Sequence, residues 1–407
     1  MSATRRRVGL RTVFAHPGYR RLWSARTASQ CGNIFATVAL ALLVFDLTGS
    51  ALGVSAVVFA EILPVLLLAP LAGTLVDRLP RIWIMLAADV WRALLAGSLI
   101  LLGEHVVAVY VIAFGLSAGA VLFNPAANSA VPALVDENEL VAANGGIWTA
   151  AVLAQIALAP LAGLLYTALG PAPAFGINAA SFVVSALLLT GLRLPATPRS
   201  PARRGFFADA VAGVRVLASD RLLRALGAGQ LLAALSAGAT SALLVVLARE
   251  HLALAPSGYG LLLGAIGVGA VLGPLVVSRL LSDPRRPAFV FGPYVLRGLV
   301  DLALATFSAL PVALVALAIY GLGTSTGAVT FNSLLQAHTP AHLRGRIFAS
   351  FDVFWQLGRL ASLLLGGLLA AALGIQAVYL LGGFLLLAAA AIGWAGIRGN
   401  APSSPTG

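Results

Sequence analysis

Lysine is absent from this sequence, and charge of either sign is scarce. The 407 residues carry 26 basic and 14 acidic side chains, every basic one an arginine, so that 10% of the chain is charged. A water-soluble domain carries about 25%. With 60% hydrophobic residues and a mean hydropathy of +0.97, most of this surface has to face lipid. The lysine deficit by itself says nothing about mechanism. A single cysteine, Cys31, excludes an internal disulfide. No glycine-rich loop ends in Gly-Lys-Ser/Thr, which excludes ATP as the fuel. The run GAIGVGAVLG at 264–273 lies in an apolar stretch with no strand before it, so it does not cradle a dinucleotide. Gly260/Gly264 and Gly269/Gly273 instead read as small-residue contacts between helices. His16, His105, His251, His338 and His342 show no metal-ligand spacing within one element, and no Ser-His-Asp arrangement is evident. No metal site, no cofactor and no enzymatic activity are expected. A formal net charge of +12 would suggest nucleic acid in a soluble protein; the placement of the arginines excludes that here.

Long hydrophobic runs dominate what is present. A helix needs about 20 mostly apolar residues to cross the hydrocarbon. Twelve such runs can be marked: 25–45, 52–76, 82–102, 106–133, 143–169, 174–192, 222–248, 258–281, 288–308, 312–337, 347–373 and 376–397. The backbone must satisfy its own hydrogen bonds in lipid, which predicts an all-α polytopic membrane protein of twelve transmembrane helices. The arginines cluster before span 1, in the segment 193–221, in the 2–3, 8–9 and 10–11 loops and in the tail, whereas the other side has essentially Arg249 alone. The positive-inside rule then places both termini in the cytoplasm. The expected organisation is a cytoplasmic segment 1–24, a six-helix bundle 25–192, a Pro- and Arg-rich cytoplasmic linker 193–221, a second bundle 222–397 and a tail 398–407. Tyr19, Leu22 and Trp23 are expected at the membrane interface.

The two bundles are related in sequence. GAVLFN at 119–124 returns as GAVTFN at 327–332, and at the same offset of 208 Gly115 meets Gly323, Asn128 meets Gln336 and Pro132 meets Pro340. Chance similarity would repeat Ala and Leu, not Gly, Phe, Asn and Pro in one register. The hexamers fall in spans 4 and 10, as parallel repeats about an axis along the membrane normal would require.

GTLVDRLPR at 73–81 resembles the Gly-x-x-x-Asp-Arg-x-x-Arg signature of major facilitator transporters, matching at Gly73, Asp77, Arg78 and Arg81 and departing at Pro80, Ile82 and Trp83. In that family the loop stabilises one access state, and a carboxylate such as Asp77 near a helix N-terminus contributes about 0.3–1 kcal/mol. The region of Arg346 is its candidate partner; a solvated charged loop is the plainer reading. RRLWSARTASQ at 20–30, DLTGSALG at 46–53, EILPVLLLAPLAGTLVDR at 61–78 and FNPAANSAVPALVDENELVAAN at 123–144 resemble the macrolide-efflux and enterobactin-exporter branch, the third drug:proton antiporter group. That resemblance implies a monomeric secondary exporter in the cell membrane. It would move an amphipathic small molecule such as a drug, macrolide, siderophore or secondary metabolite by alternating access, driven by protons. The alternatives are lipid or lysolipid translocation and a receptor or partner subunit without turnover. Ala159-Pro160-x-x-Gly163 resembles a degenerate antiporter motif, and Val111 stands where the proton-antiporter signature has an arginine.

Charges within spans are costly and need individual readings. Glu61, near mid-depth of span 2, reads either as a proton-coupling or cation-recognising group or as a structural partner of Arg359. Asp352 and Arg359 share a face of span 11, where Asp352 is a second coupling candidate and a packing network the alternative. Asp89/Arg92 in span 3 and Arg297/Asp301 in span 9 read as structural pairs at spacings of three and four. Arg26 reads as a snorkelling side chain. By the resemblance, spans 1, 4, 7 and 10 line the substrate cavity. Its candidates are then Gln30, Asn33, Asn124, Asn128, Gln230, Thr240, Thr326, Asn332 and Gln336. The Asn124/Asn332 pair reads equally as interhelical packing.

Overall fold

The computed structural model describes residues 9–194, 220–280, 287–339 and 343–398. Its long helices are α1 Pro17–Thr48, α2 Ala51–Arg78, α3 Arg81–Leu102, α4 Val106–Ala130, α5 Leu140–Leu169, α6 Ala172–Thr190, α7 Arg221–Ala242, α8 Pro256–Leu280, α9 Pro287–Thr306, α10 Leu310–His338, α11 Arg344–Leu373 and α12 Ile375–Arg398. All twelve are long and apolar enough to cross a membrane. The described residues contain no strand.

Local chemistry sets the ends. Pro17, Pro256 and Pro287 open α1, α8 and α9, where a missing N–H costs nothing and φ is already helical. Gly49, Gly170 and Gly374 follow α1, α5 and α11 at φ 55°, 76° and 85°, a region that side-chain-bearing residues avoid. Asp220 caps α7 by accepting from the Leu223 N–H at 2.8 Å. Burial pushes the Asp220 carboxyl up, but the Leu223 N–H and the His338 ring outweigh this and hold it below its ordinary 3.8.

Two compact units result, residues 1–43 with 60–203 and residues 44–59 with 204–407. The expected linker lies almost wholly outside the described residues. In the first unit, Tyr19, Leu22, Met85, Phe123 and Leu189 form a buried core. α1 begins at Pro17 rather than near residue 25, and Tyr19 and Leu22 are fully buried rather than interfacial. Their cover is α5: the Tyr19 hydroxyl donates to the Ala143 carbonyl at 2.8 Å, and Trp23 Nε1 donates to the Gly146 carbonyl at 3.2 Å. A run of mixed aromatic and basic residues looks interfacial in sequence, and only the facing helix decides which side is covered.

The second unit has its core around Leu226, Phe291, Tyr294, Ile347 and Leu386. α8 and α10 touch through backbone: a Cβ on Gly269 would meet the Ala318 carbonyl oxygen at 1.7 Å, and one on Gly321 would meet that of Ile266 at 2.0 Å. Small residues let helices approach this closely in lipid. The Ser362 hydroxyl of α11 accepts from the Ala239 N–H at 2.8 Å and donates to the Leu235 carbonyl. It thus sits between the two groups that an undistorted α7 would pair with each other, a recognised origin of helix bends. α7 stops at Ala242 and is followed by the helical turn Leu244–Val246 and the π-turn Leu247–His251. Some leucines face outward while some charges within the helices are buried: Leu101 is 82% exposed, whereas Asp89 is 0% exposed.

Candidate functional site

The first unit holds a partly open cavity of about 250 Å³. Its polar lining is Asn33 and Thr37 from α1, Glu61 from α2, Arg92 from α3, Ser117 from α4 and Asn178 from α6. Five apolar helices therefore converge on one polar chamber. Ser117 donates its hydroxyl to the Glu61 carbonyl oxygen, which ties α4 to α2 beside the carboxylate. Asn178 is 1% exposed, and its Oδ1 has no hydrogen-bond partner among the described residues. Gly32 lets α1 and α6 approach here, since a Cβ on it would meet the Ser181 Oγ at 2.1 Å and the Asn178 Oδ1 at 2.9 Å.

Arg92 is fixed from behind. It is ion-paired with Asp89, which also accepts from the Ser185 hydroxyl at 2.6 Å. Its guanidinium lies 4.5 Å from the Phe123 ring centroid and 4.3 Å from that of Phe182. Two such contacts in a desolvated setting contribute about 2 kcal/mol each. Arg92 is thus neutralised by Asp89.

Of the residues marked in the sequence, Asn33 and Glu61 line this chamber together. Gln30 is half-buried on α1 and is not part of the lining. Asn128 accepts from Arg26 Nη1 at 2.8 Å, so Arg26 bonds to α4 instead of snorkelling. Asn124 is exposed. In the second unit, Gln230 accepts from the Tyr294 hydroxyl at 3.0 Å, and the Thr240 carbonyl accepts from that of Tyr379 at 2.6 Å. Asn332 is exposed and donates to the Ala328 carbonyl of its own helix at 2.8 Å, not to a neighbouring helix. Thr326 is half-buried, Gln336 and Asp352 are exposed and Arg359 is half-buried. In the 2–3 loop, Gly73 and Arg78 are exposed and Arg81 is half-buried. The Asp77 and Arg346 side chains lie outside those described. α3 takes Pro80 as its N-cap, with no side-chain cap.

Arg92 and Asn178 escaped the sequence reading. Arg92 read as an intrahelical partner of Asp89, which it is, and nothing in the spacing showed that it also borders a cavity. The fold also gathers His16, Asp136 and Glu139, whose ligand-capable atoms lie within 4.8 Å of one another. Glu139 Oε2 accepts from the Asp136 N–H at 3.1 Å and meets His16 Nε2 at 2.8 Å. This cluster closes the turn before α5 and tethers the start of α1 to it. A larger groove of about 450 Å³ at Gly18, Arg21 and Thr190–Arg193 lies at the ends of α1 and α6, away from Glu61. Arg21 is already bonded there to the Gly191 carbonyl.

Residues 11–398 match the profile of the transmembrane secretion effector family. The multidrug efflux pump Tap of Mycolicibacterium fortuitum is 30% identical over 378 residues, 88% of this chain and 90% of that protein. Macrolide efflux protein A of Streptococcus pyogenes is 26% identical over 178 residues, 43% of this chain and 44% of that one. Among solved structures, the nucleoside transporter NupG superposes with a TM-score of 0.76 at 13% identity, covering 94% of this chain and 99% of its own. A bacterial homologue of the iron transporter ferroportin does so with 0.73 at 18% identity, covering 93% and 98%.

Proposed function

We propose, from the premise that this chain belongs to the transmembrane secretion effector family of major facilitator efflux transporters, that it exports amphipathic small molecules against an inward flow of protons, by alternating access, with Glu61 as the coupling carboxylate. The observation that carries this reading is the polar chamber of the first unit. A carboxylate inside an apolar bundle is costly unless it is used. Here Glu61 shares a 250 Å³ space with two amides and an arginine that is already balanced by Asp89. Glu61 holds a proton in one state and gives it up for the cargo in the other. Both occupants compete for one carboxylate, which is the requirement for exchange.

The arginine distribution supports cytoplasmic termini, so protons enter from the outer side. The similarity to Tap supports a drug-like cargo. Asn124, Asn128, Asn332 and Gln336 are the candidate cargo contacts in a monomeric transporter of this family.

The test is accumulation of macrolides and cationic dyes in an efflux-deficient host, with and without an uncoupler, beside Glu61→Gln. Lower accumulation that the uncoupler reverses and that Glu61→Gln loses is the expected result. Export retained in Glu61→Gln would move Glu61 to a structural role. Export insensitive to the uncoupler would reject proton coupling.

A further inference from the structure

α9 carries a further buried carboxylate, Asp301, which is 1% exposed. Its surroundings differ from those of Asp89 in a way that follows from the order of charges along the helix. Helical side chains lean toward the N-terminus. Arg92 stands one turn after Asp89, so its lean carries it onto that carboxylate. Arg297 stands one turn before Asp301, and its lean carries it away. Arg297 Nη2 donates instead to the Tyr320 hydroxyl of α10 at 3.0 Å, and its guanidinium lies 4.8 Å from the Tyr320 ring centroid.

Among the described residues Asp301 is left with one hydrogen bond, from the Ser236 hydroxyl of α7 at 3.3 Å. No described basic nitrogen comes within ion-pair distance of it. An ionised carboxylate has about four acceptor sites to fill, and burying one with a single long bond is expensive. The titratable groups around it are few: Arg297 from its own helix, and Tyr320 of α10, Tyr379 of α12 and Tyr259 of α8 in the same cluster. α7 contributes only the hydroxyls of Ser236 and Thr240. The Tyr379 hydroxyl is committed to the Thr240 carbonyl. Gly382 of α12 closes the last side, since a Cβ on it would meet Asp301 Oδ2 at 3.3 Å.

We propose that Asp301 is a proton-binding site of the second unit, distinct from Glu61, and that it takes up and releases its proton against Arg297. The ligand is a proton and not a metal ion, because the Arg297 charge opposes any other cation and the surroundings supply too few oxygen ligands. Uptake converts the carboxylate to a carboxylic acid whose O–H donates to Ser236 Oγ; release returns the charge that Arg297 balances at a distance. Tyr320 is essential to this, because it keeps Arg297 from locking Asp301 into a fixed ion pair. Ser236 lies on the segment of α7 whose backbone is opened by Ser362 between Leu235 and Ala239. Occupancy of Asp301 is therefore read by the part of the helix best able to bend. The role in export rests on the proton-driven reading above; the existence of the site does not.

The experiment is an infrared titration of the purified full-length protein, which needs no transport. The wild-type minus Asp301→Asn difference should contain a protonated-carboxyl carbonyl band that grows as pH falls. Asp301→Glu should move that band rather than remove it, which keeps the assignment testable if the asparagine variant folds poorly. A carboxylate signature at every pH at which the protein stays folded would overturn the proposal, as would a band that never changes. Export should then respond in step. A single titrating group changes the protonated-to-ionised ratio tenfold per pH unit, about 1.4 kcal/mol, and Asp301→Asn should remove that dependence from the rate. An intact titration with uncoupler-insensitive export would retain this site and reject only the proton-driven reading.

Discussion

Asp89 and Arg92 on α3, and Arg297 and Asp301 on α9, are two buried acid–base sets at matching places in the repeat; Arg297 stands 208 residues after Asp89, the offset of the duplicated hexamer. In the first unit the charges meet, supported by Ser185 and by two phenylalanine faces. In the second they stay apart, with Arg297 on Tyr320 and Asp301 on Ser236. The difference teaches that composition does not define a buried ion pair. The same two residue types, one turn apart on a helix, give a locked pair in one order and a titratable carboxyl in the other.

The comparison can be broken hardest at Arg92. Arg92→Met leaves Asp89 buried with only Ser185, and removing one partner of a buried pair costs about 3–5 kcal/mol. Thermal unfolding in detergent should show that loss, and adding Asp89→Asn should restore part of it. Asp301→Asn alone should cost less than about 1.5 kcal/mol, because it replaces a group that already has a neutral form and a single hydrogen bond. Equal losses at the two sites would erase the distinction.

A second substitution sharpens it. Tyr320→Phe takes away the hydrogen-bond acceptor of Arg297 and frees the guanidinium to turn to Asp301. The expected cost is about 1–3 kcal/mol for the lost bond to a charged group, with loss of the protonated-carboxyl band seen in the wild type. Retention of the band would show that Tyr320 does not hold the two charges apart.

The smallest effect belongs to the helix ends. His16 meets Glu139 in the first unit and His338 meets Asp220 in the second, at 2.8 and 3.0 Å. Each contact ties the start of the first helix of a repeat to the end of its fourth helix or the turns that follow it. Asp220 has a carboxyl held below its ordinary 3.8. A group depressed in the folded state stabilises the fold above that value and loses its contribution as pH falls through the folded one. Asp220→Asn should therefore lower the melting temperature slightly at neutral pH and flatten its decline below about pH 4. A parallel decline in both proteins would remove this contact from the account.

The sequence alone determined the twelve helices, the duplicated halves and the transporter family, because hydropathy, breaker residues and a long-offset repeat are written along one dimension. The spans read from apolar runs agree with the helices to within a few residues, apart from α1, whose aromatic start looked interfacial until α5 covered Tyr19, and α7, whose apolar run continues to 248 although the helix stops at Ala242. Glu61 and Asn33 could be marked because polar residues within apolar runs stand out. Tertiary structure alone decided what those groups face. Arg92 and Asn178 joined the chamber through the rotation of α3 and α6. Ser362 entered the backbone of α7 from a helix over a hundred residues away, and Arg297 chose Tyr320 over Asp301. Spacing places residues on a face of a helix, but partnership depends on which way that face is turned and on what stands across the gap.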